Sequence, residues 1–63
     1  MLSHEIKIAV EKGNIQRLKE LIEAGENVNA VDEVGNSLFL LCAWHNQLEM
    51  MKYLQEVLPK YLT

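Results

Sequence analysis

The sequence predicts an all-α protein made of two copies of a helix–turn–helix pair. Three observations lead there. Apolar residues recur at helical spacing in four separate stretches. Each stretch ends at glycine, asparagine or proline, the residues that stop helices. The first two stretches reappear, position for position, 33 residues later.

The first helix opens at Ser3, whose hydroxyl can accept from the free amides of the opening turn. Ile6, Ala9 and Val10 then form one apolar stripe, and Gly13 with Asn14 breaks it. The second helix is expected over about Ile15 to Ala24, with Ile15, Leu18, Leu21 and Ile22 inward and Gln16, Lys19, Glu20 and Glu23 outward. Gly25 is its natural stop. A long polar loop follows, rich in glycine and asparagine, until Ser37 offers a second serine cap. The third helix, about Leu38 to His45, is apolar nearly all round, so it is expected to be covered on more than one side. Asn46 ends it. The fourth begins near Gln47, carries Leu48, Met51 and Leu54 at helical spacing, and is expected to stop by Leu58, because the residue before Pro59 avoids the α region.

A shift of 33 residues superposes the halves. Ile6 falls on Phe39, Ile8 on Leu41, Ala9 on Cys42, Val10 on Ala43, Gly13 on Asn46, Ile15 on Leu48, Leu18 on Met51 and Leu21 on Leu54. Helix pairs repeated at this period with a polar loop between them form stacking solenoids.

The stretch "AVEKGNIQRLKELIEAGENVNAVDEVGNS" resembles the ankyrin repeat, through Gly25, Val28, Asn29, Asp32, Gly35 and Ser37 at that family's loop spacing. The resemblance covers about His4 to Glu56. It implies an ankyrin-type solenoid of two helix pairs joined by a β-hairpin-like loop. The first repeat would span about residues 4–32 and the second about 33–63, within one small domain over 1–63. In the loop, Val28 is expected to pack beneath, and Asn29 and Asp32 to bond local amides. There are departures. The family's T-P-L-H-x-A becomes "SLFLLC", so Leu40 stands where a hydrogen-bonding histidine is usual. The first repeat has "HEIKIA" and no preceding hairpin, which reads as an N-terminal cap.

Composition narrows the function. The net charge of −3 gives no electrostatic reason to bind nucleic acid or an anionic membrane. The longest apolar run, Leu38 to Trp44, is far short of the about 20 residues a membrane span needs. No targeting signal is visible, so a cytoplasmic location is expected. The lone Cys42 cannot form an internal disulfide and suits a reducing compartment. Cys42 and His45 stand three apart, but Cys42 occupies a site the family fills with buried alanine, which reads as a small core residue. His4, Cys42 and His45 lack metal-ligand spacing. The acidic residues form no buried pair for acid–base work. No catalytic residue, metal or cofactor is therefore expected.

A non-catalytic protein-binding module is the first functional expectation. The resemblance implies contacts through the hairpin, at Val31, Glu33, Val34 and Asn36, and through the inner helix ends, at Trp44, His45, Glu11 and Lys12. Trp44 leads, because tryptophan is enriched at interface hot spots. Against this, Trp44 packed on its own chain, His45 merely exposed at a helix end, and Glu33 and Lys12 merely solvated are the plainer readings. The alternative expectation is self-association. Two repeats leave the last helix layer without a neighbour, and about three are normally needed for stability. Met50, Tyr53, Leu54, Val57 and Tyr61, with Met51, Leu58 and Leu62, are many apolar groups for one final layer, so a homo-oligomer or a piece of a longer ankyrin protein is expected from them.

Overall fold

The computed structural model describes residues 1–62, of which Leu62 only in its backbone. It contains α1 (His4–Lys12), α2 (Ile15–Glu23), α3 (Leu38–Trp44) and α4 (Leu48–Leu62). Local chemistry sets three of the four starts. The Ser3 hydroxyl accepts from the Ile6 amide at 3.2 Å and the Ser37 hydroxyl from the Leu40 amide at 3.1 Å. Asn14 caps α2 through its Oδ1, which accepts from the Arg17 amide at 3.1 Å. Asn14 therefore starts a helix as well as following the break.

Three helix ends share one device. At the end of α1 the Gly13 amide donates to the Val10 carbonyl and the Asn14 amide to Ala9. The same crossed pair closes α2, Gly25 to Ile22 and Glu26 to Leu21, and α3, Asn46 to Ala43 and Gln47 to Cys42. The residue at the crossing has positive φ each time. Gly13 at +67° and Asn46 at +56° are partners in the 33-residue register, so the repeat is conserved within the chain down to the backbone conformation of its turn.

Between α2 and α3 no strand forms among the described residues. The hairpin-like loop is a single antiparallel bridge, Val31 to Ser37. Its tip turns on Asp32, whose carbonyl accepts from the Gly35 amide at 3.1 Å and whose amide donates to the Asn36 carbonyl at 2.9 Å. Gly35 sits at φ +90°, which closes the turn. Val28 is buried beneath the loop. Asn27, rather than Asn29, makes the local side-chain bond, accepting from the Asn29 amide at 2.9 Å.

The helices pack α1 on α2, α3 on α4, and α1 on α3. One cluster holds Ile6, Val10, Leu18, Ile22, Leu38, Cys42, Met50 and Leu54, all almost wholly buried. Burial of each large aliphatic in such a cluster stabilises by roughly 1.5–3 kcal/mol. Further contacts tie the helix pairs and the loop together. The Leu2 amide donates to the Val31 carbonyl at 2.8 Å. Gln47 Nε2 donates to the Val10 carbonyl at 2.9 Å. The Lys19 ammonium lies 5.3 Å from the centre of the Tyr53 ring.

Two expectations about α4 are corrected. α4 does not stop by Leu58 but runs through Pro59 to Leu62. Proline removes the bond to the Gln55 carbonyl and crowds that carbonyl, but both residues face solvent, where the carbonyl can tilt outward and bond water. The tail thus extends the helix rather than folding back. Met50 and Leu54, expected in an exposed final layer, are core residues at 1% and 0% exposure, because the face of α4 that carries them packs inward. The third helix is covered on more than one side, as expected, by α1 and α4. Leu40 is 50% and Trp44 82% exposed, because α1 and α4 cover only part of so short a helix. The side chain of Leu62, also expected in the final layer, lies outside the described residues.

Gly13 combines positive φ with a tight site. A Cβ there would lie 2.9 Å from Gln47 Oε1. Gly13→Ala is expected to cost about 1–2 kcal/mol from the left-handed backbone alone, and more if Gln47 loses its bond to Val10. Asn46→Gly, which relieves the same backbone in the second repeat, is expected to be neutral or mildly stabilising. Urea unfolding followed by circular dichroism measures both.

Candidate functional site

The α2–α3 loop and α3 form one exposed surface. Ser37 both closes the hairpin bridge with Val31 and caps α3, so one residue belongs to the turn and to the helix. On this surface Asn36, Leu40, Leu41, Trp44 and His45 line a recess of about 340 Å³. Asn36 is fixed to Asp32 on both sides: its amide donates to Asp32 Oδ1 at 2.8 Å and its side chain to Oδ2 at 3.2 Å. His45 caps α3. Trp44 stands at the rim. No carboxylate or ammonium lines the recess.

The recess brings together three of the residues singled out in the sequence, Asn36, Trp44 and His45. It leaves out the others. Val34 projects from the hairpin tip, 80% exposed, and Val31, in the bridge itself, is 42% exposed. Glu33 is not free: its carboxylate pairs with Lys7 Nζ and ties the hairpin to α1. Glu11 and Lys12 are exposed at the end of α1. Leu40 and Leu41 were missed as site residues. The register held the signal, since Leu40 aligns with the charged Lys7. Of the residues expected to mediate self-association, Tyr53 and Val57 are half-buried against the core and only Tyr61 is exposed, at 45%.

Acid groups at the hairpin are structural. The Asn36 backbone amide, helped by the Asn36 side chain and the Val34 amide, holds the Asp32 carboxyl below its ordinary range. The hydrogen bond from Lys7, and then its charge, does the same for Glu33. Cys42 is wholly buried, and burial pushes its thiol up to about 11. It is a neutral core group, not a nucleophile. Among the described residues no three His, Cys, Asp or Glu side chains gather in a metal-binding arrangement.

The 33-residue echo, three matching helix terminations and a hairpin pinned by Asp32 meet in one comparison. A family model described as "Ankyrin repeats (many copies)" matches residues 6–55. The chain belongs to the ankyrin-repeat family. Comparison with curated proteins and with solved structures gave no match. Ankyrin repeats generally serve as protein–protein interaction modules and are typically non-catalytic. The chain's four helices, packed in pairs, are consistent with two ankyrin repeats. No helix among the described residues is long and apolar enough to cross a membrane.

Two outcomes follow from the titrating groups. The carboxyls of Asp32 and Glu33 are depressed in the folded chain, so their stabilisation is present above their ordinary values of 3.8 and 4.5 and lost as pH falls through the lower folded values. Asp32→Asn is expected to flatten the acid limb of a plot of urea midpoint against pH, and an unchanged limb would place the acid sensitivity elsewhere. Cys42 is expected to resist a disulfide reagent at neutral pH in buffer and to react fully in urea, as read by absorbance of the released thiolate.

Proposed function

We propose that this chain is a non-catalytic protein-contact module whose working surface is the hairpin and the exposed face of α3. The observation that carries the reading is Trp44. A tryptophan left 82% exposed beside an apolar recess is unusual on a surface that meets only water. Tryptophan flanked by apolar walls is the composition of an interface hot spot. Leu40, in the recess wall, is 50% exposed, and Val34 at the hairpin tip offers a separate apolar side chain, 80% exposed. The hairpin's bonds to Asp32 and the Lys7–Glu33 pair hold this surface in shape before anything binds, which reduces the ordering cost of association.

On this reading the partner is a protein, recognised chiefly by apolar contact with Trp44 and with polar contacts at Asn36 and His45. Glu11, Lys12, Val31 and Glu33 serve as the charged and apolar rim. The reading assigns no cofactor and no nucleic-acid contact. It also places the module in the cytoplasm, in keeping with its single unpaired thiol.

A photo-reactive phenylalanine analogue at positions 44 and 34 is expected to form adducts in cells, while the same group at 23, on the outer face of α2, forms none. Trp44→Ala is expected to weaken binding of the captured protein at least about tenfold, the scale of a truncated hot-spot residue. Adducts from position 23 alone would refute the assignment of the surface.

A further inference from the structure

We infer that the segment preceding α1 is a strap that governs the hairpin: Leu2 holds the hairpin arm at Val31, and withdrawing Leu2 releases the Lys7–Glu33 pair with it. The inference concerns this chain alone and does not depend on the contact-module reading.

The hairpin is closed within itself. The Val31–Ser37 bridge and the bonds to Asp32 tie its residues to one another. Among the described residues, two hydrogen bonds join residues 31–36 to the chain outside the hairpin. The Leu2 amide donates to the Val31 carbonyl at 2.8 Å, and Lys7 Nζ donates to the Glu33 carboxylate. Both act on the same arm of the hairpin, at positions two apart, and both come from the start of the chain.

Of the two, Leu2 is the anchor. The Glu33 side chain is 59% exposed, and an ion pair that open to water contributes little by itself. Leu2 is 3% exposed and belongs to the core cluster, although it stands outside every helix and its neighbour Met1 is 80% exposed. Ser3 has extended backbone, φ −69° and ψ 153°. Its hydroxyl caps α1 and its carbonyl accepts from the Lys7 amide. The segment is thus a short extended piece, buried at one side chain and fixed to α1 by Ser3, that gives its amide to a hairpin arm. It is strand addition reduced to a single bond.

The two ties are therefore coupled. With Leu2 seated, Glu33 is carried to Lys7 at no further ordering cost. With Leu2 withdrawn, the pair would have to order the arm unaided, and an exposed pair contributes too little for that. Whatever takes hold of residues 1–3 frees the hairpin. Whatever steadies the hairpin seats Leu2, since such coupling is reciprocal.

The test uses the full 63-residue chain, made by chemical synthesis with the hydroxy-acid analogue of leucine at position 2. The ester that replaces the Met1–Leu2 amide keeps the side chain and deletes the donor to Val31. The readout is the Glu33 carboxyl, titrated by NMR. In the unaltered chain the hydrogen bond and charge of Lys7 hold it below its ordinary value of 4.5, and in the ester chain its midpoint is expected to rise toward 4.5. In the reverse direction, Glu33→Gln changes one exposed side chain and is expected to speed exchange of the Leu2 amide about two- to fivefold, the scale of an exposed ion pair. The amides of Met50 and Leu54, in the core of α4, are followed in the same samples and are expected to keep their exchange rates. A Glu33 midpoint that stays in place in the ester chain would overturn the inference, because the hairpin would then stand by its own bonds. A Leu2 amide unmoved by Glu33→Gln would overturn it too. So would equal acceleration at Leu2, Met50 and Leu54, which would mean that the whole fold opens and the segment governs nothing separately.

Discussion

Everything in this molecule depends on two helix pairs burying one face against each other. Neither pair can exclude water from its apolar side alone, and a chain of 63 residues has little other surface to bury. The repeat register shows how the sequence is written around that constraint. Val10 and Ile22 are buried, whereas Ala43 and Gln55 at the same positions of the second pair are exposed. Conversely Arg17 and Glu20 are exposed, whereas Met50 is buried and Tyr53 half-buried. At these positions the large apolar side chain stands in the copy that has a neighbour on that side. Two copies of one motif have thereby become unlike ends of a single object.

Around that interface the turns carry a second set of constraints. Crossed hydrogen bonds end α1, α2 and α3, so the helices stop in register with one another. The hairpin is held by carboxylate chemistry instead of a strand ladder: Asp32 accepts from Val34, from the Asn36 backbone and from the Asn36 side chain. Lys7 then anchors it to α1 through Glu33. This division matters for the surface. A loop fixed by its own side chains needs no regular strand, and the face it shares with α3 stays open.

Features written in adjacent residues were legible in the sequence. Ser3, Ser37, Gly13 and Asn46 act locally, and the helix they start or stop lies within a few residues. The 33-residue echo was legible because burial repeats with the fold. Features set by competition across the chain were not. Pro59 obeys its local preference only when nothing opposes it, and α4 continues with its exposed side able to take water. The echo aligns Leu18 with Met51, yet Met50 is the fully buried methionine, because the second pair faces the first with the side that Arg17 turns to solvent. An apolar α3 was rightly read as covered on more than one side, but a composition cannot say that Leu40 and Trp44 stay exposed between those neighbours. Of the candidate site, Trp44, His45 and Asn36 were legible from their place in the repeat. The Lys7–Glu33 pair was not, because the two residues lie 26 apart.

The bond from Gln47 to the Val10 carbonyl has a consequence for how the chain opens. That carbonyl, at the end of α1, takes one hydrogen bond from Gly13 in its own repeat and a second from the other repeat, 37 residues away. Its full complement therefore exists only when both pairs are docked. Long solenoids can lose an end repeat while the rest persists, because each unit answers mainly to its neighbours. Among the described residues each pair has the other as its neighbour. Slow amide exchange in α1, α2, α3 and α4 should then share one opening free energy, as in a single foldon, with no stable half-molecule between the native state and the unfolded chain.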